Sequence, residues 1–167
     1  VSAAEFVRPQ LVCGKGAENF RKIAKLPEDF NRKPIESTTV KASYDKSCLY
    51  LQFVMEDDDT ITEAEKNQSQ LRTQGDALQL FFKSEKDTFL WEFQFSPNGK
   101  KSCFFHYGAG RMFYPEPESA FPDFKVVNKL AKGKWNVDVT IPLSIFREKG
   151  FKFTKDEKWT FMFVRHN

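Results

Sequence analysis

The sequence predicts an all-β fold, an antiparallel β-sandwich of the immunoglobulin-like or jelly-roll-like kind with one or two short helical turns. Three observations carry this. Apolar residues recur at period two in run after run. The runs are short and separated by turn-forming residues, as in a sandwich. Phenylalanine is abundant, with 19 in a chain of 167 residues, and aromatic rings suit pleated, half-buried surfaces.

Taken in order, "AENFRKIAKL" (17–26) is the one helix candidate ahead of the strands. "SCLYLQFVME" (47–56) places Leu49, Leu51, Phe53 and Met55 on one face. The segment 60–75 is polar and reads as loop or short helix. "DALQLFF" (76–82) sets Leu78, Leu80 and Phe82 against Ala77, Gln79 and Phe81. "FLWEFQF" (89–95) sets Phe89, Trp91, Phe93 and Phe95 against Leu90, Glu92 and Gln94. It stops at Pro97-Asn98-Gly99, a turn signal, and "SCFFHY" (102–107) comes next as the partner of a hairpin. "FKVVNKL" (124–130), "KWNVDVTIP" (134–142) and "KWTFMFVRH" (158–166) complete at least seven strands. After Pro142, "LSIFREKG" reads as one or two helical turns closed by Gly150.

At this length the chain suits a single domain, residues 1–167, able to bury a core without staples. The net charge of +3 comes from cations scattered among nearly as many acids. No phosphate-tracking stripe results, which argues against nucleic acid as a partner. No apolar run approaches the roughly 20 residues of a membrane span. Cys13, Cys48 and Cys103 show no paired spacing, so one disulfide with a free thiol and three free thiols are both open. The chain opens "VSAAEF" without methionine, which suits a processed chain.

Parity puts Trp91 and Trp135 on the most apolar face of their strands, so they are expected in the core. Trp159 lies where both faces are apolar, and its direction stays open. Gln79, Glu92 and Gln94 occupy the polar side of two strands expected to be neighbours. They are either a solvated outer face or a patch of amides and a carboxylate matched to hydroxyls. The segment "HYGAGRMFYPEPE" (106–118) gathers His106, Tyr107, Arg111, Phe113 and Tyr114 around two glycines. In a ligand-binding reading, Tyr107 or Tyr114 supplies a stacking platform and Arg111 a guanidinium fork. In the alternative, the segment folds back as a lid on the core. The run "EDDD" (56–59) offers Asp57, Asp58 and Asp59, with Asp76, as hard oxygen ligands for Ca²⁺. A solvated strand end is the competing reading. His106 and His166 are the two histidines, and neither sits in a catalytic motif, so catalysis is not expected.

The order of motifs, "YDKSCLYLQFVMEDDD", "GDALQLFF", "WEFQFSPNG", "HYGAGR", "GKWNVDVTIPLSIF" and "WTFMFVR", resembles the family 9 carbohydrate-binding modules and the related DOMON-type sandwiches over about residues 40–165. The resemblance implies a β-sandwich that binds a mono- or oligosaccharide without cutting it. It also implies a secreted or periplasmic setting, with a larger polysaccharide-processing protein as possible host, and structural calcium as in some relatives. Two departures stand out. Gln79 replaces the family's usual glutamate, and Gln94 matches the position of a binding arginine known in some members. The stretch "QLRTQGD" before the "GDALQLFF" strand holds no aromatic residue, so the paired tryptophans that clamp a sugar in some members are not visible. Two alternatives stand beside sugar binding. One is an accessory sandwich without a sugar ligand. The lesser one is a b-type haem domain of related fold, for which Met55, Met112, Met162, His106 and His166 supply ligand types.

Overall fold

Eleven strands and one short helix are placed in the computed structural model, which describes residues 37–108, 123–154 and 156–166 in full. It also places the backbone of Val12–Cys13, Arg21–Lys22 and Met112–Pro115. The strands are β1 (Val12–Cys13), β2 (Arg21–Lys22), β3 (Thr38–Tyr44), β4 (Cys48–Glu56), β5 (Ala77–Ser84) and β6 (Leu90–Phe95). Then come β7 (Lys101–Tyr107), β8 (Met112–Pro115), β9 (Lys125–Ala131), β10 (Lys134–Pro142), helix α1 (Ser144–Glu148) and β11 (Trp159–His166).

These strands form two sheets. One runs β1-β3-β4-β10-β9, with β2 also paired to β3, and the other runs β11-β5-β6-β7-β8. All pairs are antiparallel except β1 with β3. The fold is therefore the expected all-β sandwich, and all seven strands read from periodicity are present. Three segments differ from the sequence reading. Arg21–Lys22, inside the predicted helix 17–26, pair with Lys41 and Ala42 as a strand; the rest of that helix lies outside the described residues. The edge of β3 supplies backbone partners there, which outweighs a weak local helical preference. Thr38–Tyr44 is a full strand whose short, mixed side chains hid its alternation. Met112–Pro115, expected in a loop, pairs with β7.

The core lies between the sheets, where the period-two faces meet. Leu49, Leu51, Phe53 and Met55 face Leu80, Phe82, Trp91 and Phe93 within one continuous apolar cluster. Trp91 and Trp135 are buried in it, as parity predicts. The Trp135 indole donates Nε1–H to Asn128 Oδ1 at 2.9 Å. Trp159 packs at one end against Phe146, Phe151 and Phe153, and donates Nε1–H to the Lys152 carbonyl at 3.2 Å. Edge-to-face pairs such as Phe93 on Phe124, 5.2 Å between centroids, fix these rings against one another. Cys48 is half-buried and Cys103 buried, with no disulfide between them, and Cys13 is described only through its backbone.

Two turns set the path of the chain through the second sheet. Gly99, at φ +84°, closes the hairpin from β6 to β7 as the Pro-Asn-Gly signal implies. Helix α1 ends at Gly150, at φ +85°, ahead of β11. The polar segment 60–75 is loop with one short 3₁₀ turn, as its composition suggests. It lies over the outer face of the second sheet, pinned by Leu71, which packs with Ala64 and Ala77 in a small apolar cluster of its own. A single 3₁₀ turn, Leu71–Thr73, carries that anchor. The Gln68 amide caps the edge of β7, accepting from the Cys103 N–H at 2.7 Å and donating to the Cys103 carbonyl at 3.0 Å. Ser102 adds a hydroxyl bond to the Ser69 carbonyl at 2.8 Å. Among the described residues no helix is long and apolar enough to cross a membrane.

Candidate functional site

Strand pairing brings the polar side of β5 and β6 together. Gln79 stands opposite Gln94 and Phe81 opposite Glu92, while β7 places His106 beside Leu90. The last strand, β11, pairs with β5 and sets His166 opposite Ala77. These residues share the face turned away from the core. They are not solvated: Gln79 is 5 %, Glu92 6 % and Gln94 0 % exposed, and Gln70 and Arg72 of segment 60–75 bond to Gln94. Buried polar groups must find partners in place of water. Here they find one another.

Glu92 organises the cluster. A carboxylate only accepts, so each neighbour must turn a donor toward it. The Gln79 amide donates Nε2–H to Glu92 Oε1 at 2.6 Å, and Gln94 Nε2–H donates to the same oxygen. His106 donates Nε2–H to Glu92 Oε2 at 2.7 Å. With its nitrogen committed, Gln79 presents Oε1 to His166, which donates Nε2–H across 2.5 Å. Gln94 likewise presents Oε1 to the backbone N–H of Arg72, 3.4 Å away, tying the cover to the network. One ionised group thus sets two amide orientations and the donor nitrogen of both histidines.

Burial alone would push the Glu92 carboxyl up, but the bonds from His106, Gln94 and Gln79 outweigh it and hold the group below its ordinary 4.5. The His166 imidazole is held below its ordinary 6.5 by burial first and by the Arg72 charge second, with Glu92 opposing. The sign of the pH dependence comes from these two directions. A histidine that resists protonation in the fold contributes stability above 6.5 that is lost as pH falls below that value. Glu92 adds a further loss only as pH falls below 4.5. Thermal midpoints should therefore decline from about pH 7 to about pH 5. His166→Gln, which can still donate to Gln79, should flatten that decline. An unaltered slope in the variant would remove His166 as its source.

Above the network lies a cleft of about 330 Å³, lined by Gln70, Arg72, Gln79, Phe81, Glu92, His106 and His166. It sits at the small end of ligand clefts. Among the described residues half-buried Phe81 is its apolar aromatic wall. Met162 stands opposite Phe81 in the pairing and is exposed, extending the apolar strip along that face. A second cleft of about 370 Å³ runs along Phe124 and Thr140 and shares no lining residue with the first. Its Lys101 ammonium is bonded to the Phe124 carbonyl at 2.6 Å. No comparable set of amides converges in it, so the first cleft has the stronger recognition chemistry.

The structure brings together Gln79, Glu92, Gln94 and His106 of the residues singled out from sequence. Tyr107 goes the other way. It is 41 % exposed and packs edge-on against Phe105, 4.7 Å between centroids, on the side opposite His106. Strand β8 sets Phe113 opposite His106 and Tyr114 opposite Phe105, and Arg111 lies outside the described residues. Phe81, Gln70, Arg72 and the siting of His166 were not anticipated. Parity had already placed Phe81 with Gln79, and that is the signal that could have found it.

Of the four aspartates considered as calcium ligands, Asp57 and Asp76 are buried. Asp57 faces Arg165, with Nη2 to Oδ2 at 3.5 Å, and Asp76 accepts the Ile61 N–H at 2.6 Å. Burial first, and the Asp57 charge after it, raise the Asp76 carboxyl above its ordinary range against the pull of the Ile61 bond. Asp58 and Asp59 are exposed. Among the described residues no three histidines, cysteines or carboxylates converge as metal ligands. Of the residues considered for haem, Met55 is buried in the core and both histidines serve the polar network.

No family model and no curated protein sequence matches the chain. Solved structures do. A protein of Bacteroides uniformis ATCC 8492, provisionally assigned as carbohydrate-binding, superposes with a TM-score of 0.70 at 13 % identity, over 87 % of this chain and 70 % of that one. A family 9 carbohydrate-binding module of Caldicellulosiruptor kristjanssonii in complex with cellotriose gives 0.60 at 14 %, over 92 % and 73 %. The same organism's module in complex with glucose gives 0.54 at 15 %, over 87 % and 66 %. At these identities the likeness is one of fold, and it is the fold that the motif order resembles.

Proposed function

We propose that this sandwich, built like those carbohydrate-binding modules, is itself a non-catalytic module that binds a mono- or oligosaccharide in the cleft above Glu92. One observation carries the reading: a buried network of two glutamine amides, a carboxylate and two imidazoles floors a cleft beside a half-exposed aromatic ring. Sugars have apolar C–H faces and hydroxyls that both donate and accept, and such a floor and wall match both needs. Preset amides also lower the ordering cost of binding. Phe81 replaces Tyr107 as the stacking platform. Glu92 is already saturated by donors, which suits a positioning role better than proton transfer. On this reading the module works outside the cytoplasm, within or beside a larger polysaccharide-processing protein.

The test is an ¹⁵N-¹H NMR titration against neutral and acidic mono- and oligosaccharides. Saturable shifts should cluster at Gln79, Phe81, Gln94, His106 and His166. Phe81→Ala should weaken binding about tenfold while the rest of the spectrum holds. Shifts centred on Phe124 and Thr140 would move the site to the second cleft. A silent spectrum across the panel would overturn the reading in favour of an accessory sandwich.

A further inference from the structure

The cleft has an unbalanced charge. Among the described residues Glu92 is its one acidic lining residue, and that carboxylate is already matched: Oε1 accepts from Gln79 and Gln94, Oε2 from His106. Arg72 also lines the cleft, is exposed, and has no ion pair or side-chain hydrogen bond among the described residues. Its position is nonetheless set. It sits at the centre of the 3₁₀ turn, next to the buried anchor Leu71, and its backbone N–H reaches Gln94 Oε1. The turn is closed by bonds from the Thr73 N–H to the Gln70 carbonyl at 3.1 Å and from the Gln74 N–H to the Leu71 carbonyl at 2.9 Å. The same face of β5 carries exposed Lys83 two residues beyond Phe81. Among the described residues the exposed charges beside the cleft are thus cationic, over a floor whose carboxylate is internally satisfied.

From this geometry we infer that the ligand is an acidic sugar, a hexuronic acid unit whose ring lies against Phe81 and whose carboxylate pairs with the Arg72 guanidinium. The inference rests on the sugar-binding reading and narrows it. A planar guanidinium meets a carboxylate through two parallel charge-assisted hydrogen bonds, stronger than those it makes to neutral hydroxyls. A neutral sugar would leave the Arg72 charge without a counter-ion. The floor contributes the amide contacts common to both kinds of sugar, so the discrimination falls to the rim.

Two matched pairs of probes test it: glucose against glucuronate, and galactose against galacturonate, titrated by NMR into the wild-type protein and Arg72→Gln. The wild type should prefer the uronate of each pair by about tenfold, and the preference should shrink in about 0.3 M salt. In Arg72→Gln the ratio of uronate to neutral affinity should fall to near one. Arg72 is exposed, so the variant should keep the wild-type amide spectrum away from the cleft. Equal wild-type affinities within each pair, or a preference that survives in Arg72→Gln, would overturn the acidic-sugar inference and leave sugar binding standing. Absence of saturable shifts with all four sugars would overturn the acidic-sugar inference at the level of the single unit, whereas sugar binding itself falls only if the wider panel of oligosaccharides is silent too.

Discussion

Glu92→Ala should lower the stability of the domain by about 3–5 kcal/mol and abolish saturable sugar binding in the millimolar range. Truncation strips partners from three donors at once: Gln79 Nε2, Gln94 Nε2 and His106 Nε2. Each orphaned buried donor costs roughly 1–3 kcal/mol, and members of one network do not add simply. The larger effect is on geometry. Without an acceptor-only group between them, both amides are free to turn over, and His166 loses its fixed acceptor. Glu92→Gln is the informative control. Its carbonyl can still accept from the two glutamines, while its own N–H₂ must meet His106 as the other tautomer. We expect that variant to recover more than half of the lost stability but little of the binding, since the amide orientations are no longer dictated by charge. Urea unfolding with unchanged slope measures the first quantity and NMR titration the second. A loss below about 1 kcal/mol in Glu92→Ala would mean that the cluster is effectively solvated and the network account is wrong.

How far the site could be read from sequence depends on which interactions are local. Trp91, Phe93 and Phe95 alternate with Glu92 and Gln94, so the division between core and outer face was legible from period two alone, and so was the company of Gln79 with Phe81. Burial of the outer face was not. It depends on Leu71 finding Ala64 and Ala77, and on Gln68 and Ser69 bonding to the edge of β7 more than thirty residues away. Period-two patterning holds no information on what covers a face. His166 enters the cleft only because the last strand pairs with β5 rather than with another edge, a choice of topology. Tyr107 is the opposite case. It shares parity with Phe105, so the pattern already assigned it away from His106, and the density of rings in that segment obscured this.

The aspartate run yields the other large effect. Arg165→Met should destabilise the domain by about 3–5 kcal/mol, because it leaves a buried carboxylate without its countercharge. Asp57 is 2 % exposed, neither of its carboxylate oxygens has a hydrogen-bond donor among the described residues, and the Arg165 guanidinium at 3.5 Å is its counter-ion. The same guanidinium ties β11 to the end of β4, donating Nη1–H to the Glu56 carbonyl at 2.5 Å. Asp76 lies near enough for the Asp57 charge to raise its carboxyl, so the cation also offsets repulsion between two buried acids. Adding Asp57→Asn to Arg165→Met removes the orphaned charge and should restore about half of the loss. The remainder reflects the lost bond to Glu56 and the packing of the arginine stem. A double-mutant cycle separates these contributions, because the two side chains are in direct contact and their effects must couple. Strict additivity would show that Asp57 is not held by Arg165 in solution, and would return the acidic run to the position of a solvated strand end.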